Sequence, residues 1–126
     1  MYTFKKEERL CNKTIIDGLF RSGSSFLCYP YKVSWAFTDR FSVPAQVVFA
    51  APKKRFKHAV DRNLIKRRMR EAYRLHKQQQ LYDQLTAMDK HLALSLVYVG
   101  TEVLDYITIE KKMLKMFGLL SQQLAK

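Results

Sequence analysis

The sequence predicts an α+β fold in which helices pack on a small mixed β-sheet. Segments with helical periodicity alternate with apolar segments of strand length, and neither a repeat nor a Pro/Gly-rich linker divides the 126 residues. The predicted element order is therefore α-β-β-α-β-α, within a single domain that spans residues 1–126.

The first helix is predicted from Asn12 to Ser22, because its apolar residues recur at helical spacing and form one apolar side. Asn12 is a suitable N-cap, and Gly23 stands where such a helix ends. A half-buried strand follows, in which large apolar residues alternate with smaller or polar ones. Its apolar positions are Tyr31, Val33, Trp35 and Phe37.

The second half of the chain contains two buried strands and two longer helices. Asp39–Pro44 is predicted to be a turn, and residues 78–91 a short helix followed by a turn. The predicted strands are Ala45–Ala51, which ends before Pro52, and Leu92–Val99, which ends before Gly100. The predicted helices are Ala59–Lys77 and an amphipathic helix that begins after the N-cap Asp105 and carries Tyr106, Ile109, Met113, Phe117, Leu120 and Leu124 on one face.

The formal net charge of +12 indicates a polyanionic partner, with nucleic acid favoured over an anionic membrane surface. The longest apolar run has the length of a strand, and no signal-peptide core follows Met1–Lys6, so we expect a cytoplasmic protein that does not bind membranes. Cys11 and Cys28 form neither a disulfide framework nor a zinc motif, and we expect both thiols to stay reduced.

Most of the charge lies between Lys53 and Lys77. This segment has eleven basic and two acidic residues, whereas the rest of the chain has twelve basic and nine acidic ones. At about 100° per residue, one arc of the predicted helix is polar and the adjacent arc apolar. The polar arc holds Arg62, Asn63, Lys66, Arg67, Arg70, Arg74 and Lys77; the apolar arc holds Ile65, Met69, Ala72, Tyr73 and His76.

A basic loop precedes this helix and contains Lys53, Lys54 and Lys57. The N-terminus of a helix already favours phosphate, because its backbone N–H groups and dipole point toward the ligand. Arginine also suits bidentate contact with phosphate and base edges. The loop and the polar arc together therefore predict a nucleic-acid-binding surface.

The segment Ala59–Glu71, AVDRNLIKRRMRE, resembles the signature helix of the bacterial ribonuclease P protein family. The matching positions are Ala59, Arg62, Asn63, Ile65, Lys66, Arg67 and Arg70. Pro52-Lys53-Lys54 is similar to the family's Ser-Lys-Lys, and Phe20-Arg21-Ser22-Gly23 is similar to its Phe-Lys-x-Gly. The resemblance extends from about Arg9 to Leu120.

The resemblance implies a two-layer sandwich like that of some ribosomal proteins, with a left-handed βαβ crossover. It also implies an accessory subunit of an endoribonuclease, in which a catalytic RNA removes the 5′ leader from precursor tRNA. The chemistry then requires Mg²⁺ held by the RNA, and the protein supplies neither catalytic residues nor a cofactor site. The expected partners are this RNA and precursor tRNA, with no obligate protein partner.

Two sets of contacts are predicted on this basis. The catalytic RNA is assigned to Lys53, Lys54, Lys57, Arg62, Asn63, Lys66, Arg67, Arg70 and Arg74. The leader is assigned to a groove between the first helix and the sheet, lined by Ile16, Phe20, Tyr31, Val33 and Trp35, where aromatic rings can stack on bases. Leu64, Pro52, Phe56 and Ile16 depart from the family pattern.

Two alternatives remain open. A ribosomal-type structural RNA-binding protein would carry a similar basic face but would need no groove for a mobile single strand. A self-sufficient ribonuclease could use His58, His76 or His91 as acid and base. No carboxylate stands at a helical spacing that would orient His76, and the acidic residues are scattered.

Overall fold

The computed structural model describes residues 3–39 and 41–125, which form a four-stranded sheet with helices on both faces. The helices are α1 (Lys13–Ser22), α2 (Ala59–Lys77), α3 (Asp83–Met88) and α4 (Tyr106–Leu124); the strands are β1 (Ser24–Cys28), β2 (Tyr31–Phe37), β3 (Ala45–Ala50) and β4 (Leu92–Tyr98). A 3-10 turn, Lys6–Glu8, precedes α1, and a π-helical turn, Gln78–Tyr82, joins α2 to α3. In the part of the chain that is described, no helix is long and apolar enough to cross a membrane.

The sheet is mixed, as predicted, with the strand order β1-β2-β4-β3. β2 pairs antiparallel with β1 and β4, whereas β3 pairs parallel with β4. The connection from β3 to β4 runs through α2, and its handedness stays a prediction. Strand β1 was not predicted, and Arg40, inside the predicted turn, lies outside the described residues.

The main core lies between one face of the sheet and the helices α2 and α4. Two hydrogen bonds join β2 to α4: the Tyr31 hydroxyl donates to the carbonyl of Ile109 at 2.8 Å, and Trp35 Nε1 donates to Gln123 Oε1 at 3.0 Å. Burial raises the pKa of Tyr31 well above its usual range. The phenol therefore stays protonated and remains a hydrogen-bond donor.

Helix α1 covers part of the other face, over a smaller cluster that includes Leu10, Leu19 and Ala93. Asn12 is the N-cap, as predicted, and its side chain accepts a hydrogen bond from the backbone N–H of Ile15 at 3.1 Å. At Gly23 an added Cβ would lie 2.7 Å from the carbonyl oxygen of Leu19. The helix can therefore leave for β1 only through a glycine.

The prediction that Tyr31, Val33 and Trp35 face α1 is wrong. Tyr31 and Val33 are fully buried and Trp35 is 9% exposed, all within the main core on the α4 side. Alternation along a strand sends neighbouring residues to opposite faces, so Lys32 and Ser34 lie on the α1 side instead. The large apolar residues of β2 pack against α4 because that helix provides the larger apolar surface.

Candidate nucleic-acid interface

Core packing fixes the orientation of α2. Ile65, Met69, Ala72 and Tyr73 have no exposed surface and lie in the main core, which confirms these four positions of the predicted apolar arc. The fifth, His76, is half-buried and lies outside this core. Burying these four side chains holds the helix at one rotation against the sheet. The opposite side of α2 must then face solvent.

The outward side of α2 presents cations that are free to bind a ligand. Asn63, Arg67 and Arg70 are exposed, and Lys66 is half-buried. Among the described residues, the side chains of Lys66, Arg67 and Arg70 form no ion pair and no hydrogen bond. An unpaired cation can bind a phosphate without first breaking an internal contact.

Two other arginines of the predicted interface already have partners. Arg62 Nη1 donates to the carbonyl oxygens of Phe56 and Lys57, at 2.8 Å each. Arg74 forms an ion pair with Glu71, with 3.1 Å between Nε and Oε2, and this hydrogen bond lowers the pKa of the Glu71 carboxyl. Arg62 therefore holds the basic loop against α2, and Arg74 is partly neutralised.

The basic loop keeps its lysines in solvent although its sequence departs from the family pattern. The backbone N–H of Arg55 donates to the carbonyl of Pro52 at 3.1 Å, which closes a turn. Phe56 is buried, with its ring centroid 5.9 Å from that of Tyr98. Lys53, Lys54 and Lys57 are exposed around this anchor. Phe56 thus attaches the loop to the core.

Lys77 is not part of the polar surface, contrary to its predicted position on the polar arc. It is 4% exposed, and its ammonium donates to the Glu8 carboxylate, as does the Tyr82 hydroxyl. Burial opposes ionisation of Glu8, but the hydrogen bonds from Lys77 and Tyr82 outweigh it and lower the pKa of this carboxyl. The N-terminal 3-10 turn is thereby fixed to the end of α2.

One histidine has a carboxylate partner that the sequence did not reveal. His76 Nε2 lies 2.9 Å from Glu110 Oε2, and the Tyr106 hydroxyl donates to the same oxygen at 3.3 Å. Burial and the nearby Glu110 raise the pKa of Tyr106 to about 12. Glu110 belongs to α4, so no spacing within α2 could have found it. In the described ranges no group of three potential metal ligands occurs.

A second surface lies beside α1 on the other face of the sheet. Phe20, at the end of α1, is 56% exposed, whereas the adjacent Leu19 is buried. Leu27 of β1 is 65% exposed and pairs with Lys32 of β2, which is also exposed. Paired residues on adjacent strands share a face, so Leu27 and Lys32 lie together. We call Phe20, Leu27 and Lys32 the second-face patch.

Of the five predicted leader contacts, only Phe20 and the half-buried Ile16 lie on the α1 side. The exposed Leu27 and Lys32, which also lie on this side, are not among the predicted contacts. Lys32 could have been identified from the alternation in β2. If the aromatic positions of β2 pack against α4, the alternate polar positions, including Lys32, must face α1. Nothing local identifies Leu27, because it lies in the strand that was not predicted.

A protein-family model described as Ribonuclease P matches residues 4–118 of the chain. The chain belongs to this family. The ribonuclease P protein component of Porphyromonas gingivalis strain W83 is 34% identical over 115 residues, covering 90% of this chain and 83% of the relative. That of Chlorobium phaeobacteroides is 36% identical over 110 residues, covering 78% and 73%.

Solved structures of ribonuclease P proteins share the fold. The Staphylococcus aureus protein superposes with a TM-score of 0.73 at 16% identity, covering 90% of this chain and 94% of the other. The Thermotoga maritima protein gives 0.67 at 19% identity, covering 87% and 94%. A further similar structure is that of an S. aureus RNase P protein mutant described as defective in mRNA degradation activity, with a TM-score of 0.73 at 16% identity over 91% and 89%.

Proposed function

We propose that this ribonuclease P protein binds the catalytic RNA through the outward side of α2 and the basic loop, and the 5′ leader of precursor tRNA through the second-face patch. One observation supports the first part above all: Lys66, Arg67 and Arg70 are unpaired on a helix whose rotation the core fixes. Phosphate contacts from such residues position an RNA without reading its sequence.

The proposed RNA-binding residues fall into two groups, those whose side chains have no partner in the free protein and those that already have one. Asn63, Lys66, Arg67 and Arg70 bind the RNA directly, joined by Lys53, Lys54 and Lys57 of the loop. Arg62 also orients that loop through its two bonds to backbone carbonyls. Arg74 contributes less, because Glu71 already neutralises part of its charge.

The leader lies across the second-face patch, beside Ile16. The exposed ring of Phe20 can stack on a base, which is worth about 1–3 kcal/mol and tolerates any base. Lys32 lies in one row of paired residues with Leu27, Val97 and Ala50. β3 ends at Ala50, so the basic loop leaves the sheet at the end of the strands where Lys32 lies. The loop can therefore guide the phosphate backbone of the leader toward Lys32.

The reaction itself belongs to the RNA and its Mg²⁺. A ribonuclease that relies on protein residues needs an acid and a base at the same phosphodiester. His58 precedes α2 and His76 lies near its other end, about 27 Å along the axis at 1.5 Å per residue. His91 is bound to the carbonyl of Val43 at 2.7 Å. The His76–Glu110 pair is a feature that would favour the alternative of a self-sufficient ribonuclease.

The test is cleavage of precursor tRNA at low magnesium by a ribonuclease P RNA, with and without the protein. We expect no cleavage by protein alone and faster cleavage when protein and RNA are combined. Arg70→Ala should weaken this stimulation, whereas Lys111→Ala, which removes an exposed cation from α4, should not. RNA-free protein that cleaves, and stops cleaving as His76→Ala, would establish the alternative.

A further inference from the structure

A cleft beside the edge strand β3 brings basic residues together from two distant parts of the chain. Its lining includes Lys66 and Arg70 of α2, Arg9 and Cys11 of the N-terminal segment, and Phe49 of β3. The cleft has a volume of about 190 Å³. Arg9 lies outside the basic helix and loop, so the charge of the helix alone does not indicate that Arg9 contributes to a binding site.

The backbone at Arg9 is held on both sides. Arg9 forms a parallel bridge with Val47 of β3, and the N–H of Leu10 donates to the carbonyl of Val47 at 2.9 Å. The preceding residue, Glu8, is anchored in the interior by Lys77 and Tyr82. Arg9 thus starts from a fixed backbone, which reduces the entropy that a bound ligand must remove.

The cleft has an unbalanced charge. Within the described part of the chain, its lining includes three cations and no carboxylate. Among the described residues, the side chains of Arg9, Lys66 and Arg70 form no ion pair with any acid. Like charges gathered around one concavity raise the local concentration of anions.

We propose that this cleft binds a phosphodiester group of RNA, with Arg9 completing a site that Lys66 and Arg70 begin. The inference rests on the proposed function and adds a residue and a location to it. The phosphodiester can come from the catalytic RNA or from the leader of precursor tRNA. The two arginines and the lysine provide the charge-assisted hydrogen bonds that phosphate oxygens accept.

The first test measures binding by Arg9→Ala, Arg9→Lys and the control Lys111→Ala. If the phosphate belongs to the catalytic RNA, Arg9→Ala weakens binding of that RNA about tenfold and lowers the slope of log K against log salt by about 0.7–0.9. If it belongs to the leader, binding of the RNA is unchanged, and the assembled holoenzyme loses affinity for precursor tRNA but not for mature tRNA. Arg9→Lys should retain most of the binding. Agreement of Arg9→Ala with the control in both assays would overturn the proposal.

Cys11 allows a second test that does not change the charge. Its thiol is exposed in the cleft, whereas Cys28 is buried, and burial raises the pKa of the Cys28 thiol. N-ethylmaleimide should therefore modify Cys11 in the free protein, and Cys11→Ser should abolish the labelling. Saturating catalytic RNA or, in the holoenzyme, precursor tRNA should slow it about tenfold or more. Normal RNA binding with unchanged labelling in both complexes refutes the cleft alone, whereas absence of RNA binding refutes the proposed function itself.

Discussion

The ion pair between Glu8 and Lys77 connects the N-terminal turn to the basic helix, and Glu8→Gln tests its strength. The substitution preserves the shape of the side chain but leaves the Lys77 ammonium, which is 4% exposed, without a counter-charge. Breaking a buried ion pair on one side costs about 3–5 kcal/mol. Because the amide oxygen of Gln can still accept a hydrogen bond, we expect about 3 kcal/mol, or a fall in Tm of about 12 °C at about 4 °C per kcal/mol.

Thermal denaturation followed by circular dichroism at neutral pH measures the change, with Glu7→Gln as the control. Glu7 is the exposed neighbour in the same turn, so its substitution should hardly change Tm. Lys77→Met introduced together with Glu8→Gln should restore much of the loss, because no unpaired charge then remains buried. A Tm for Glu8→Gln within about 2 °C of the parent protein, the range of an ordinary surface substitution, would refute this reasoning.

The pH dependence should have a definite sign. The pKa of Glu8 is lower in the folded protein than its ordinary value. Its contribution to the free energy of unfolding is therefore complete above the unfolded pKa of about 4.3 and is lost as the pH falls through the lowered folded value. Glu8→Gln lacks this contribution at every pH. The gap in stability between the parent protein and the variant should consequently narrow in acid, and a gap that widened would contradict the assignment.

Two further predictions concern the division of α2 and the second-face patch. Ile65→Asp should unfold the domain, because it buries an unpaired charge. Lys66→Ala should leave the circular dichroism spectrum unchanged and weaken RNA binding. The opposite pattern would show that the helix is rotated relative to the sheet. In the holoenzyme, Phe20→Ala should weaken binding of precursor tRNA about tenfold through lost stacking and spare mature tRNA. Equal losses for both substrates would place the leader elsewhere.

Local patterns predicted the helices well, because a helix is specified by its own residues. The bounds of α2, Ala59–Lys77, agree with the prediction, and so does the division of this helix into a buried and a basic side. Asn12 and Asp105 are N-caps whose side chains accept from backbone N–H groups three residues on. Capping and periodicity both act within a few residues and are therefore readable from the sequence.

The errors arose where distant segments meet. Alternation in β2 predicted two faces correctly, but it could not say which helix covers which face. The partners of Tyr31 and Trp35 lie at Ile109 and Gln123 of α4, far along the chain. β1 is a short edge strand with exposed serines, and its pairing with β2 identifies it better than its composition does. Lys77 lies in the interior instead of on the polar surface because Glu8, from the N-terminal turn, pairs with it there.

The cleft at Arg9 and the second-face patch lie at different sides of the sheet, which determines how their effects should combine. The patch involves β1 and β2, whereas the cleft lies along β3, the opposite edge in the order β1-β2-β4-β3. Strands about 4.8 Å apart place β1 about 14 Å from β3, while Phe20 itself belongs to α1, which packs over β2 and β4. Arg9 and Phe20 share no hydrogen-bond or ion-pair partner among the described residues, and substitutions at independent sites are usually additive. If the cleft binds the catalytic RNA, the double variant Arg9→Ala with Phe20→Ala should cleave precursor tRNA more slowly by a factor that equals the product of the two single-variant factors. A smaller combined loss would mean that one strand of RNA crosses both sites, which would assign the cleft to the leader.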